Sequence, residues 1–404
     1  MELHDLDVAG CRVLIRVDFN VPLTKPDASG VRLVTDDTRI RAALPTIEAV
    51  LAAGGSAVLM SHLGRPRSSD AALSLRHILP TLVALLGRDV KFAEDCIGDL
   101  ALDVTGDLKP GEVALLENLR FHPEEMKGDE FFAGQLAENG DCFVGDAFGT
   151  AHRAHASTTT VARFFPSDCA MGLLMAREVE ALSQLMGAPA RPVAAIIGGA
   201  KVSSKLAVLK NLLPRVDQIF IGGGMAYTFI AARGGKVGNS LAEPDMYPEA
   251  LALIEQAALE GVEIVLPSDA LCADKFAADA SVLTCAIDEI PDGWMGLDLG
   301  PESRKEFATK AREARTILWN GPMGVFEFEN FSAGTLAMAD ALVDATRQGA
   351  FTLVGGGDSV AAINAAGLAD QVSYVSTGGG AMLEYLEGRI LPGIAAITDG
   401  TLRA

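Results

Sequence analysis

The sequence predicts an α/β protein of two halves, each a mainly parallel sheet with helices on both faces, joined by a long helix. Three observations predict it. Short apolar runs end abruptly in polar or glycine loops and are followed by helix-like stretches. The runs are continuous rather than alternating, as expected of strands buried on both faces. A Gly187-Ala188-Pro189-Ala190-Arg191-Pro192 break divides the chain just after a long amphipathic stretch.

The elements follow in chain order. Apolar runs at Val13–Val17, Ala57–Met60, Val113–Leu116 and Cys142–Val144 predict strands in the first half. Val193–Ile197, Gln218–Ile221, Glu263–Leu266, Thr316–Trp319, Phe351–Val354 and Val372–Val375 predict them in the second. Leu206, Leu209, Leu212 and Leu213 repeat with helical spacing, as do Leu251, Ile254, Ala258 and Leu259. Met171, Leu174, Met175, Val179, Leu182, Leu185 and Met186 form one face of the joining helix. Strand–helix alternation gives the α/β class, and ten or more strands exceed a single barrel, so two Rossmann-like domains result. The unusual loops lie at the C-terminal ends of strands, where open α/β sheets bind ligands.

At 404 residues the chain suggests two or three domains. Its 49% hydrophobic and 21% charged residues fit a globular enzyme. A net charge of −20 argues against nucleic-acid and anionic-membrane partners. Six scattered cysteines without a C-x-x-C pair suggest a reducing, cytoplasmic setting. No signal peptide is expected from Met1–Asp5, and the longest uncharged runs fall short of the ~18 residues a membrane span needs.

Against this acidic background, cationic loops stand out in residues 1–160: Ser61-His62-Leu63-Gly64-Arg65, Asn118-Leu119-Arg120-Phe121-His122 and Ala151-His152-Arg153-Ala154-His155, with Arg39 beside them. Glycine triplets fall only in the second half, at Gly222–Gly224, Gly355–Gly357 and Gly378–Gly380. Cationic forks and bare backbone N–H groups both hold phosphate, and the contrast suggests two different phosphate-bearing substrates.

Each loop has a plainer reading. Lys201 and Lys205, in Gly198-Gly199-Ala200-Lys201-Val202-Ser203-Ser204-Lys205, share a helix face if the helix begins by Lys201, and oppose its dipole unless an anion is present. Otherwise they are solvated surface lysines. Gly355-Gly356-Gly357-Asp358-Ser359 suits phosphate and Mg²⁺, or is a turn with an Asp cap. Gly378–Gly380 offers N–H groups at a helix start, or is a glycine turn. Glu327, ending the loop after Trp319, can accept ribose hydroxyls or stand exposed. Asp18 and Asn20, after a strand, suit a substrate hydroxyl. One arginine in such a loop is usually a surface ion pair; four of them, three beside histidine, point to carboxylate and phosphate. The histidines show no zinc spacing, and His77, placed on a helix, and His4 are taken as structural. Neither G-x-x-x-x-G-K-[ST] nor G-x-G-x-x-G occurs, which weighs against a dinucleotide-linked dehydrogenase.

The motifs in order, RVDFNVP (16–22), SHLGRP (61–66), LENLRFH (116–122), FGTAHRAH (148–155), GGAKVSSKL (198–206), IGGGMA (221–226), GWMGLDLGPES (293–303), WNGPMGVFE (319–327), GGGDS (355–359) and STGGGA (376–381), resemble those of the phosphoglycerate kinase family. The resemblance implies a phosphotransferase with a carboxyl-group acceptor. It moves a phosphoryl group reversibly from 1,3-bisphosphoglycerate to Mg-ADP, giving 3-phosphoglycerate and Mg-ATP. It implies an acid-substrate domain over 1–170, a helix and linker over 171–188, a nucleotide domain over 189–390, and a tail over 391–404 that packs back on the first domain. The acid substrate would meet Asp18, Phe19, Asn20, Arg39, His62, Leu63, Gly64, Arg65, Arg120 and Arg153. The nucleotide would meet Gly199, Ala200, Lys201, Lys205, Gly224, Gly296, Leu297, Asn320, Glu327, Gly356, Gly357, Asp358 and Ser359, with Asp358 serving Mg²⁺. Arg39, Lys201, Gly379 and Gly380 would act on the transferred group. Ser359 stands where the family usually has threonine. A monomer that closes about its hinge is implied; the alternative is a catalytically silent nucleotide-binding protein on the same fold.

Overall fold

The computed structural model describes residues 1–28 and 30–399, which fall into two compact units. Unit 1 is Met1–Glu180 with the chain from Ile390 onward; unit 2 is Ala181–Arg389. The first contains strands β1 (Arg12–Arg16), β2 (Ser56–Met60), β3 (Val90–Phe92), β4 (Val113–Leu115), β5 (Cys142–Gly145) and β6 (Cys169–Met171), all parallel, in the order β3-β4-β2-β1-β5-β6. Its helices are α1 (Thr38–Ala52), α2 (Leu79–Leu86), α3 (Asp99–Thr105), α4 (Pro123–Lys127), α5 (Glu130–Ala137) and α6 (Leu173–Met186), which runs on into unit 2.

Unit 2 holds β7 (Val193–Ile197), β8 (Gln218–Ile221), β9 (Lys236–Val237), β10 (Glu263–Val265), β11 (Asp269–Ala273), β12 (Val282–Ala286), β13 (Glu289–Ile290), β14 (Met295–Leu299), β15 (Thr316–Asn320), β16 (Phe351–Gly355) and β17 (Tyr374–Val375). Its helices are α7 (Leu206–Leu212), α8 (Gly224–Ala232), α9 (Tyr247–Glu260), α10 (Pro301–Arg312), α11 (Ala333–Arg347), α12 (Gly357–Ala365) and α13 (Gly380–Leu386). The main sheet is parallel, ordered β10-β8-β7-β15-β16-β17. A separate antiparallel sheet, β12-β11-β14, carries the chain between β10 and β15.

The predicted α/β class and the two parallel sheets are both present. Every residue of β2, β5, β7 and β15 is buried, which is why those strands read as unbroken apolar runs. In each sheet the strand order reverses direction beside the first strand, between β1 and β5 and between β7 and β15, opening a crevice at the carboxyl ends. Register then sets the height of the loops. Arg16 lies opposite Met60 and Gly145, while Asn320 lies opposite Ile197 and Gly355.

Two local expectations are corrected. α7 begins at Leu206, so Lys201 and Lys205 do not share a helix face. Ser203 is drawn to Glu243 through its N–H (3.1 Å) and hydroxyl (2.6 Å), and the Ser204 hydroxyl donates to the Lys201 carbonyl (2.8 Å), holding the segment as a turn. His77 lies in a 3₁₀ turn, Leu75–Ile78, rather than an α-helix. At the end of the chain α14 (Pro392–Thr398) lies on unit 1, where the Gly393 N–H donates to the Ala151 carbonyl at 2.8 Å. Residues 400–404 of the expected tail lie outside the described residues.

Candidate active site

In unit 1 hydrogen bonds draw the strand-end loops together. Asp36 accepts the Thr38 N–H (2.9 Å), starting α1 and placing Arg39 in its first turn. One Arg39 nitrogen donates to Asp18 (3.1 Å) and to the Asn20 carbonyl (3.0 Å). The Asn20 amide oxygen accepts the Gly64 N–H (2.8 Å), and Arg120 donates to the Gly64 carbonyl (2.6 Å). Gly64 has φ +64°, and a Cβ there would stand 2.8 Å from Leu73. Asn118 clamps Leu63, accepting its N–H (3.2 Å) and donating to its carbonyl (2.8 Å). Phe19 and Leu63 are buried, and the Phe19 N–H donates to the Ser61 hydroxyl (2.8 Å), so both hold the loops in place from behind. Arg65 is exposed, and Arg153 is half-buried with its Nε 3.2 Å from His152.

The cations of this loop set outnumber its anions, Asp18 and Glu125. Arg16 is buried, donating to Ser157 (2.8 Å) and lying 3.2 Å from the His62 Nδ1. Burial pulls its guanidinium below the usual value, against the pull of Glu125 and Asp18. Burial, then Arg153 and Arg16, pulls Arg120 down to about 10, and its buried Nε has no protein partner among the described residues. His62 is pushed well below the usual imidazole value by burial and by Arg16, Arg120, Arg153 and Arg39; burial, then Arg120, Arg16 and Arg153, holds His155 at about 4. Both imidazoles are therefore neutral near pH 7. With Arg16 donating to its Nδ1, His62 carries its proton on Nε2. The main countercharge is Glu125, fully buried and occupied by the Ser157 N–H (2.9 Å) and hydroxyl (2.6 Å). A crowd of guanidinium groups at the end of a sheet, in a protein of charge −20, has the chemistry to hold a small polyanion.

Unit 2 builds its site from backbone. A Cβ on Gly198 would lie 2.1 Å from the Pro322 carbonyl, and one on Gly321 2.2 Å from the Gly198 carbonyl. The loops after β7 and β15 thus meet backbone to backbone. Gly199 N–H donates to Pro322 (3.2 Å), and Gly223 N–H to Met323 (3.1 Å). Between these loops and β14 lies a cavity of about 520 Å³, bordered by Gly199, Ala200, Gly224, Gly296, Leu297, Glu327 and Asp358. Gly296 leaves room for Tyr227, whose hydroxyl would be 2.1 Å from a Cβ there.

Beside the cavity, Lys205 donates to the Asn320 side chain, which itself donates to the Gly355 carbonyl (3.0 Å). Burial lowers the Lys205 ammonium below its usual value, opposed by Asp358 and Glu387. Lys201 is exposed. Gly356 has φ +88° and precedes α12, so Gly357 and Asp358 occupy its first turn. Ser359 is buried, its hydroxyl accepting the Gly321 N–H (2.6 Å), so it ties the loops after β15 and β16 together rather than bordering the cavity. Gly379 has φ +50° and precedes α13, whose first turn starts at Gly380.

Sequence reasoning missed several contributors. Arg16, Glu125 and Ser157 complete the cluster beside His155, whose loop the sequence did single out; Arg16, at a strand end inside RVDFNVP, was the legible one. Tyr227, Asn239, Leu241, Phe276, Met295, Pro322, Gly324 and Val325 also border the cavity. Phe276, exposed and 5.2 Å from the Phe328 ring, lies in a loop without a local signal.

A family profile described as phosphoglycerate kinase matches residues 3–389. A phosphoglycerate kinase of Chloroherpeton thalassium is 52% identical over 398 residues, covering 98% of each chain. One of Porphyromonas gingivalis is 49% identical over 421 residues, covering 98% of this chain and all of the relative. Among solved structures, phosphoglycerate kinase from Coxiella burnetii superposes with a TM-score of 0.89 at 40% identity, covering 98% of both chains. That from Pyrococcus horikoshii OT3 does so at 0.84 and 30%, covering both completely. With its loops, sheets and relatives in agreement, the chain belongs to the phosphoglycerate kinase family.

Proposed function

We infer that this protein is an enzyme that transfers a phosphoryl group reversibly between 1,3-bisphosphoglycerate and ADP, giving 3-phosphoglycerate and ATP, a step of glycolysis. Family membership over nearly the whole chain carries the reaction. One observation carries the assignment of substrates: guanidinium groups crowd the strand ends of unit 1, whereas glycine backbone borders the cavity of unit 2. The acid substrate, small and polyanionic, suits Arg39, Arg65, Arg120 and Arg153, with Asp18, Asn20 and the Nε2–H of His62 meeting its hydroxyl and carboxylate. Phe19, Leu63 and Gly64 fix the loops that present these groups, through hydrogen bonds to Ser61, Asn118, Asn20 and Arg120. The nucleotide suits the 520 Å³ cavity, its base against Gly296 and Leu297, its ribose at Glu327, and its phosphates at Gly199, Ala200, Gly224 and Asp358 on the cavity border, with Lys205, Asn320, Gly356 and Gly357 beside them and Ser359 holding the Gly321 backbone in place.

Asp358 fits Mg²⁺: it is one exposed carboxylate at a helix start on the phosphate side of the cavity, and Mg²⁺ favours one or two carboxylates plus phosphate oxygens. When bound, the ion neutralises charge on the nucleotide phosphates. The enzyme supplies no nucleophile, because the attacking ADP oxygen is already anionic. Its work is positioning and charge stabilisation. Arg39 and Lys201 hold the oxygens of the transferred group, Lys205 holds the nucleotide, and the Gly379 and Gly380 N–H groups at the start of α13 stabilise charge as it develops. Six free cysteines fit a reducing cytoplasm, and no helix among the described residues is long and apolar enough to cross a membrane. A monomer completes the reading.

The test is turnover of 3-phosphoglycerate with Mg-ATP, the acyl phosphate being detected through a coupled reaction, in wild type, Arg39→Ala and Lys201→Ala. Removal of one such charge donor lowers kcat about 10²–10³-fold, with nucleotide affinity changed far less. Near-normal kcat in either variant removes that residue from the transfer step. Folded wild-type protein that binds nucleotide without turnover would favour the silent alternative.

A further inference from the structure

Outside both sites, Asp95, Cys96 and His122 meet in unit 1. Asp95 and Cys96 follow β3, and His122 immediately precedes α4. One oxygen of Asp95, the Sγ of Cys96 and a ring nitrogen of His122 all lie within 4.8 Å of one another. The sequence spacing hid this, because Cys96 and His122 come from separate loops. Cys96 is fully buried, whereas the side chains of Asp95 and His122 are 34% and 26% exposed. The cluster therefore has a dry thiol side and a side open to water.

An aspartate–histidine hydrogen bond, Asp95 Oδ1 to His122 Nε2 at 2.7 Å, accounts for two members. The Cys96 thiol lies against the same carboxylate, so Asp95 joins a thiol and an imidazole. Carboxylate, thiolate and imidazole are together a zinc donor set, and three protein ligands leave one tetrahedral position for water. Metal–ligand bonds of about 2.0–2.3 Å place such ligand atoms roughly 3.3–3.7 Å apart. To admit the ion, the Asp95–His122 pair opens from 2.7 Å by about 0.6 Å and the Cys96 sulfur, within 4.8 Å of both, settles at about 3.7 Å. The surroundings hold the ligands in place. Asn139 donates to the Cys96 carbonyl (3.3 Å) and accepts from Thr105 (2.9 Å). The Cys96 N–H donates to Asp95 (2.7 Å), and the His122 ring lies 5.3 Å from that of Phe132. Such outer contacts fix the orientation of metal ligands.

We propose that Asp95, Cys96 and His122 form a binding site for a borderline-soft divalent cation, Zn²⁺ foremost, with water as the fourth ligand. Cys96 binds as the thiolate, releasing its proton to solvent, and His122 binds through Nε2 as the neutral imidazole with its proton on Nδ1. The ion then ties the loop after β3 to the loop that carries Arg120, two residues before His122. Asp95, Cys96 and His122 have no assigned part in phosphoryl transfer, so the site stands or falls independently of the reaction.

Cobalt titration of the full-length, nucleotide-free protein tests it. One equivalent of Co²⁺ should give intense visible bands of a tetrahedral site and a near-ultraviolet sulfur-to-cobalt charge-transfer band, both lost on adding Zn²⁺. Cys96→Ser should abolish the charge-transfer band. Cys285→Ser should leave it, which separates this site from the Cys272–Cys285 thiol pair, 3.4 Å apart. Zn²⁺ should raise the thermal midpoint of the wild type, and His122→Gln should weaken Zn²⁺ binding at least about tenfold. A missing charge-transfer band, or one that survives Cys96→Ser, overturns the proposal. If Cys96→Ser does not fold, unchanged Zn²⁺ affinity in His122→Gln overturns it.

Discussion

At His155, burial and the charges of Arg120, Arg16 and Arg153 act in one direction, holding the imidazole at about 4. In an unfolded chain the same side chain titrates near 6.5. Between those values the unfolded state takes a proton that the folded state refuses. Stability therefore falls as pH drops from 6.5 towards 4, at up to about 1.4 kcal/mol per pH unit for this one group. His155→Gln does not titrate, so its stability should fall less steeply over that window, by up to one proton's worth. Denaturant unfolding at several pH values measures the two slopes, and equal slopes would show that His155 is protonated in the native cluster. Arginine-rich loops were legible as residues, but this clustering was not. Arg16 and Ser157 are 141 positions apart, and Glu125 reaches Ser157 from 32 away, so no local pattern joins them. Gly296 is similar: its need for glycine comes from Tyr227, far off in sequence.

At the scale of the element, α6 begins on a buried carboxylate. Asp146, just after β5, accepts the N–H groups of Leu174 (2.9 Å) and Met175 (3.1 Å), while its other oxygen is buried with no hydrogen-bond partner among the described residues. Burial raises its carboxyl to about 7 despite these donors. Asp298 repeats the device in unit 2: burial raises it to about 7, and it accepts the Gly334 N–H at the start of α11 (2.8 Å). The sign here is opposite to that of His155. From pH 4 to 7 the unfolded chain loses the aspartate proton that the folded chain keeps, so each carboxyl lowers stability as pH rises, and its penalty is constant above 7. Asp146→Asn cannot ionise. Its stability relative to wild type should rise between pH 4 and 7 and then level off, as unfolding midpoints at matched pH would show; a constant difference would mean that Asp146 is ionised in the fold. The strands flanking these caps show what the sequence reveals about elements. β1, β2, β5, β7, β15 and β16 were legible because burial on both faces leaves unbroken apolar runs. β3 sits at a sheet edge with Lys91 exposed, and β12 alternates exposed and half-buried residues, so neither has that signature. The antiparallel sheet went unread because Asp269, Gly296 and Asp298 interrupt the apolar runs of β11 and β14, and of its cavity wall Gly296 and Leu297 came in through the family resemblance alone.

For the whole molecule, the division of chemistry between the units sets the last prediction. The proposed acid-substrate residues belong to unit 1 and the nucleotide cavity to unit 2. In-line transfer needs the attacking oxygen about 3–3.5 Å from the phosphorus before reaction. A substrate held on each unit can reach that distance only if the units bring their ligands together. An acyl phosphate is also activated towards water, so the encounter must exclude solvent as well as align the reactants. Either substrate alone neutralises charge on its own unit, but only the pair gains from being brought together. Binding of both should therefore compact the protein more than the sum of the single effects. X-ray scattering on the free enzyme, each binary complex and the ternary complex with a non-reacting nucleotide analogue reads this as the radius of gyration. The smallest value should belong to the ternary complex, and Arg39→Ala or Lys201→Ala should blunt the difference if those residues grip the transferred group at closure. Equal radii in the free and doubly liganded states would mean that the substrates meet without domain closure.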